Sequence, residues 1–247
     1  MKRQTFKHSI LFGDGTLKDG KFVGLDTYKD FHLIPSSRPT IAMPGVETKF
    51  VTIPGRSGSI DLSEYLRKGT PAYGDRSGTF EFVVENDWDI EARPEEFWMT
   101  IYPRITNAIH GKRLKMVLLE DDPDYYWEGR FTVDKYEAGD GYHSEVAISY
   151  QVEPYKWRIR SGGDMVWDNF NFEKDYDNSI LPNTVYGTGN VVRVDVTGAA
   201  VNTNVSIGNE KINMGGRSTA RFIRVINGPT EISLTGDGTF EWREGSL

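Results

Sequence analysis

"VTIPGRSGSIDLSEYLRKGTPAYGDRSGTFEF", residues 51–82, holds two near-identical turns, Gly55-Arg56-Ser57-Gly58 and Asp75-Arg76-Ser77-Gly78. Between them, "IDLSEYLRKG" (60–69) reads as a short helical turn or an arm, which Asp61 or Ser63 could cap and Gly69 could end. On a helix, Leu62, Tyr65 and Leu66 fall on one face, the i, i+3, i+4 pattern of a groove-docking element. So small an apolar stripe anchors a helix weakly on its own domain. Two readings stay open: an arm that docks on a neighbouring subunit, and a short helix lying on its own sheet. After the second turn, "GTFEFVVEND" (78–87) alternates apolar and polar residues, the pattern of a half-buried strand. No nucleophile with its base is visible, since Arg-Ser-Gly is not a G-x-S-x-G elbow.

Upstream, "SILFGDGT" (9–16) and "KDGKFVGL" (18–25) are extended segments broken by turns. "FHLIPSSRPTIAMPGVETKFVTIPGRSG" (31–58) is rich in proline, which removes amide donors and suits edge strands and exposed connections. Downstream, "RPEEFWMTIYPRITNAIHGK" (93–112) predicts a helix with Phe97, Ile101, Ile105 and Ile109 along one face. Pro94, Glu95 and Glu96 suit its start and Gly111 its end, while Pro103 inside it predicts a bent helix or two short ones. "RLKMVLL" (113–119) is a strand. "WEGRFTVDKYEA" (127–138) and "SEVAISYQVEPYKW" (144–157) form a hairpin across Gly139-Asp140-Gly141. Beyond Arg158 the helix pattern disappears. "VVRVDVTG" (191–198), "VNTNVSIGNEKINM" (201–214), "TARFIRVI" (219–226) and "TEISLTGDGTFEWRE" (230–244) are strands at the spacing of a β-sandwich. A domain boundary is expected near residues 154–160.

The 247 residues suffice for one large β domain or two smaller ones, each with a core. A net charge of −7 disfavours duplex DNA or an anionic membrane as the main partner. With no cysteine, disulfides, thiolate metal sites and cysteine nucleophiles are excluded. No apolar window reaches membrane-spanning length, and "KRQTFKHSILFGDGT" (2–16) is too polar for a signal peptide, so synthesis in a cytoplasm without a cleaved signal is expected. High glycine (26 residues) and aromatic content (13%) favour strands over helices.

Candidate chemistry is sparse. "EDDPD" (Glu120, Asp121, Asp122, Asp124) lacks the ligand spacing of a calcium loop and is read as a solvated turn whose Asp side chains bond the backbone. His8, His32, His110 and His143 show no paired zinc spacing. "FGDGT" and "TGDGT" lack a phosphate-loop lysine. No metal, no cofactor and no catalytic residue is expected. Trp167, Phe170 and Phe172 in "MVWDNFNFEKDYDN" (165–178) form either an aromatic platform for a sugar ring or part of a core or domain interface.

Five stretches in order carry a family resemblance: "YKDFHLIPSSRPTI" (28–41), "VTIPGRSGSIDLSEYL" (51–66), "AYGDRSGTFEF" (72–82), "IHGKRLKMVLLEDDPDYYWEGRFTV" (109–133) and "ISYQVEPYKW" (148–157). Together they resemble the distal tail protein (Dit) family of siphophages and prophages of Gram-positive bacteria. The likeness covers nearly all of residues 1–157; the remainder matches in size and β character. Pro71 and Pro103 depart from the pattern in the arm and helix segments. The resemblance implies a mainly β fold: an N-terminal β-sandwich with one helix and an extended arm or hairpin (1–157), then a galectin-like C-terminal β-sandwich (158–247). It implies a non-enzymatic hub, a hexameric ring at the distal end of a phage tail, made in the host bacterial cytoplasm. Its partners would be the tail tube protein, the tail-associated spike or lysin protein, and receptor-binding or baseplate proteins. DNA would pass without specific binding, and no membrane is involved. Arg56, Leu62, Tyr65, Leu66 and Arg76 become candidates for the subunit interface and arm, with both arginines alternatively just solvated. The competing function is a carbohydrate-binding module or adhesin, using Trp167 and Phe170 of the C-terminal domain.

Overall fold

The alternation at the start of "GTFEFVVEND" takes the form of a strand, Arg76–Val84, with Phe80, Phe82 and Val84 buried and Ser77, Thr79 and Glu81 exposed. The computed structural model describes residues 8–65, 71–84, 97–135, 145–160, 183–186, 191–199, 203–226, 229–235 and 239–247. It is mainly β, with one short α-helix among the described residues. The chain divides into two compact units, Met1–Lys156 and Trp157–Leu247.

In the first unit, Arg76–Val84 pairs antiparallel with Glu145–Val152 on one side and Leu33–Pro35 on the other. Glu145–Val152 pairs with Tyr125–Lys135, which pairs with Arg113–Leu118. Arg113–Leu118 pairs with Ile10–Gly13, and that strand with Leu25–Asp26. The expected N-terminal sandwich is thus hydrogen-bonded as one continuous run of seven antiparallel strands. Residues from both ends of the run, Ile10 and Phe12 at one and Leu33 and Phe82 at the other, enter a single core. The rings of Phe12 and Phe131 meet edge to face within it, 5.0 Å apart.

The helix closes this core. A π-helical turn, Phe97–Ile101, leads into an α-helix, Tyr102–Ile109, with Pro103 in its first turn. There the missing amide is one that needs no intrahelical partner, so proline divides the segment without breaking it. Ile101, Ile105 and Ile109 all turn inward and are buried. Gly111 follows at φ 70°, a left-handed conformation that ends the helix. His110 Nδ1 accepts a hydrogen bond from Val133 N at 3.0 Å and ties that end to the sheet.

In the second unit, Val191–Thr197 pairs with Thr219–Val225 and with Thr239–Ser246. A second sheet runs Asn183–Tyr186, Pro229–Thr235, Asn204–Ile207, Glu210–Asn213. Val192, Val194 and Val196 of the first sheet meet Val205, Ile207, Ile232 and Leu234 of the second in one core. Two antiparallel sheets over a shared apolar layer make a sandwich. Arg193 is buried in this unit: its Nε donates to Asp195 Oδ2 at 2.7 Å, and its guanidinium lies 5.7 Å from the centre of the Trp157 ring.

Candidate functional site

Between Leu33–Pro35 and Arg76–Val84, which are neighbours in the sheet, the chain leaves and returns. The excursion is built as a ribbon. At its root, Val46–Glu47 pairs with Ala72–Tyr73, and Gly74 N donates to Gly45 O at 2.9 Å. Further out, Phe50–Thr52 pairs with Ser59–Asp61. Leu62 N donates to Lys49 O and Lys49 N to Ser63 Oγ, both at 2.8 Å. At the tip, Gly55 and Gly58 take φ of 83° and 80°, so the turn needs residues without a Cβ. Every residue from Gly45 to Ser59 is exposed. Large apolar side chains are among those that face water along the excursion: Met43 at 73%, Phe50 at 59% and Tyr65 at 79% exposure, with Val46, Val51 and Ile53 beside them.

This arm differs from the helical reading of "IDLSEYLRKG". Ser59–Asp61 is a strand because it has a partner strand across the tip. Asp61 Oδ1 accepts from Ser63 N at 2.9 Å and also from Ser63 Oγ, bonds that hold its carboxyl below the usual range and fix a turn. Of the three residues of the expected helical face, Leu62 is half-buried, Tyr65 is exposed and donates its amide to Leu62 O at 3.2 Å, and Leu66 lies outside the described residues. The apolar residues that line the arm instead, Phe50, Val51 and Ile53, were not picked out from the sequence. Their signal was present, in two short β-prone runs flanking a Gly-containing turn.

The two Arg-Ser-Gly turns are not equivalent. Arg56 is exposed at the tip, with its amide bonded to Ile53 O at 3.2 Å. Arg76 is only 4% exposed. Its Nε donates to Pro154 O at 2.8 Å and its Nη1 to Ala42 O at 3.2 Å, while its buried Nη2 has no hydrogen-bond partner among the described residues. Burial lowers the pKa of this guanidinium from its usual value. Around it, the rings of Tyr73 and Tyr155 meet edge to face at 6.1 Å, and Gln151 Nε2 donates to Asp75 Oδ2 at 3.0 Å. Tyr150 Oη lies 3.4 Å from Ala42 N, and Gly78 leaves room for that phenol, since a Cβ there would lie 2.5 Å from Tyr150 Oη.

The acidic turn also differs from its reading. Its side chains meet nitrogen-bearing side chains from three separate segments. Arg38 Nε donates to Asp121 Oδ1 at 3.0 Å, Lys156 Nζ to Asp122 at 3.0 Å, and His8 Nδ1 lies 2.7 Å from Glu120 Oε2. Among the described residues, no three His, Asp or Glu side chains are grouped to hold a metal ion. Trp167 and Phe170, the candidate sugar contacts, lie outside the described residues.

No family model matches the sequence, and no curated protein matches it. Among solved structures, the chain is similar in fold to a phage protein. That structure is the Dit protein (gp 19.1) of phage SPP1, described as a paradigm of the hub adsorption apparatus in phages infecting Gram-positive bacteria. The TM-score is 0.55 at 12% identity, over 96% of this chain and 99% of that one. Likeness at this identity establishes a shared fold. Chains of the phage P2 baseplate in its activated conformation, with Ca and with Sr, also align, each with a TM-score of 0.44 over 97% of this chain and 98% of theirs, at 9% and 8% identity.

Proposed function

We propose that this chain is a structural subunit of a phage tail tip, assembling through its arm into a hexameric ring. The ring joins the tail tube to the tail-associated spike or lysin protein, carries receptor-binding or baseplate components, and lets DNA pass through its channel. The role is non-catalytic and places the protein in the virion. The observation that carries this reading is the arm: fifteen consecutive exposed residues, Gly45–Ser59, with apolar side chains among them. A two-stranded ribbon is too thin to bury its own side chains, and a contiguous exposed apolar surface marks an interaction site. An arm on one side of a subunit and a different acceptor surface on another make a head-to-tail interface, which closes into a ring when the rotation permits. The fold shared with the SPP1 Dit protein supports the tail-tip setting, and the hexamer follows the Dit resemblance.

Light scattering with negative-stain microscopy on the full chain tests this. The expected mass is six times 28.0 kDa. In the double variant Phe50→Ser, Ile53→Ser the ring should fall to single subunits while subunit stability moves by less than about 0.5 kcal/mol, the range of ordinary surface substitutions. Single subunits alone at every concentration, even with tail-tube or spike protein added, would overturn the reading.

A further inference from the structure

Arg76 stands where the arm re-enters the sheet, and its side chain reaches back across the root. One donor goes to Ala42 O, on the segment that leads into the arm. Another goes to Pro154 O, at the end of the sheet strand Glu145–Val152 and shortly before the unit ends at Lys156. Both acceptors are backbone carbonyls, so these bonds fix the path of the chain and not the pose of a side chain. A planar guanidinium with five N–H groups can span two carbonyls on separate segments; an ammonium on a flexible stem cannot do so with fixed geometry.

We propose that Arg76 is a latch: it holds the outgoing and returning ends of the arm to the Tyr150–Tyr155 segment and so sets the direction in which the arm leaves the sheet. The position of Arg76 is secured without its side chain, because its backbone is in register with Val152 in the ladder. Its contact to Pro154 is joined by the Tyr73–Tyr155 rings and the Gln151–Asp75 bond. The outgoing end is tied upstream by Ser36 N to Glu81 O and by Ile41 against the core, and closer to the root by the Arg76 bond. Besides Arg76, Ala42 meets the sheet through its long contact to Tyr150 Oη, and Gly45 is held through Gly74 N. The latch is also incompletely satisfied. Among the described residues Nη2 has no acceptor, and a buried donor left unmade carries a free-energy penalty.

Hydrogen exchange on the full chain, followed residue by residue, tests the latch without reference to the ring, whose own test is the native mass. In Arg76→Gln, exchange is expected to speed at least tenfold at Gly74 and in the Val46–Glu47/Ala72–Tyr73 ladder. Core amides at Phe131 and Ile148 should keep their wild-type rates. Arg76→Lys, which keeps the charge but reaches one carbonyl at a time, should fall between the two. If the glutamine variant does not fold, the lysine variant decides on the same readout. Root exchange at the wild-type rate in the variants, or root and core amides speeding by one common factor, would overturn the proposal.

Discussion

Asp121 sits on the acidic turn with its carboxyl held below the usual range, first by the hydrogen bond from Arg38 and then by that guanidinium's charge. Arg38 is held correspondingly above its own usual value by the same bond. A carboxyl whose folded pKa is depressed stabilises the fold above its unfolded value, roughly 3.9, and loses that contribution as pH falls through the lower folded value. Arg38 is largely exposed, so the contribution is the small one of a solvated pair. The expected outcome is a stability difference between the wild type and Asp121→Asn that is present at pH 6 and vanishes well below pH 4. Urea midpoints across that range check it, and a difference that persists at pH 2 would assign the effect to something other than ionisation. The nitrogen-bearing partners were not readable from "EDDPD" itself, because Arg38, Lys156 and His8 come from far along the chain.

Gly129 shows how tightly one pair of strands is drawn together. It faces Val152 across the ladder, and a Cβ there would lie 2.1 Å from Gln151 O and 2.5 Å from Val152 Cα. Backbone atoms cannot swing aside as a side chain can, so Gly129→Ala is expected to cost at least the roughly 1–3 kcal/mol typical of overpacking. Equilibrium urea unfolding would show it, and a cost near zero would mean that the strands part easily. Period-two alternation made Arg76–Val84 legible, because a half-buried strand writes its burial into its own residues. Pro103 likewise announced a divided helix, since its effect is local. The sequence left the arm open between a helical turn and an extended arm because its structure depends on pairing: Ser59–Asp61 is extended because Phe50–Thr52 lies beside it. Identical letters at Arg56 and Arg76 could not reveal that one ends at a tip and the other beneath a root, since Ala42 and Pro154, both distant in sequence, make the difference.

At the scale of the whole molecule, the second unit has its own two-sheet core, and Trp157 at its first residue is fully buried. A core of this kind can fold without the rest of the chain. The fragment Trp157–Leu247 is therefore expected to give a cooperative melt with a β-type circular dichroism spectrum. Within it, Ile232→Ala should cost about 2–5 kcal/mol, as for other buried aliphatic truncations. An unfolded fragment would show that the sandwich borrows part of its core from the first unit. The strand spacing that marks a sandwich was visible in the sequence; the order in which those strands pair was not, because the seven described strands of its two sheets, similar in composition, admit many pairings.

The arm occupies forty residues, Ser36 to Asp75, between two strands that are neighbours in the sheet. Bringing the ends of a flexible segment together costs entropy that rises only with the logarithm of its length, about 0.6 kcal/mol for each doubling. The sheet is therefore nearly indifferent to how long the arm is. Adding or removing a rung beyond Val46–Glu47 changes reach by several ångströms per residue pair while leaving the closing strands where they are. Arm length is thus not set by the subunit's own folding thermodynamics, and the same scaffold of strands can carry arms of different reach.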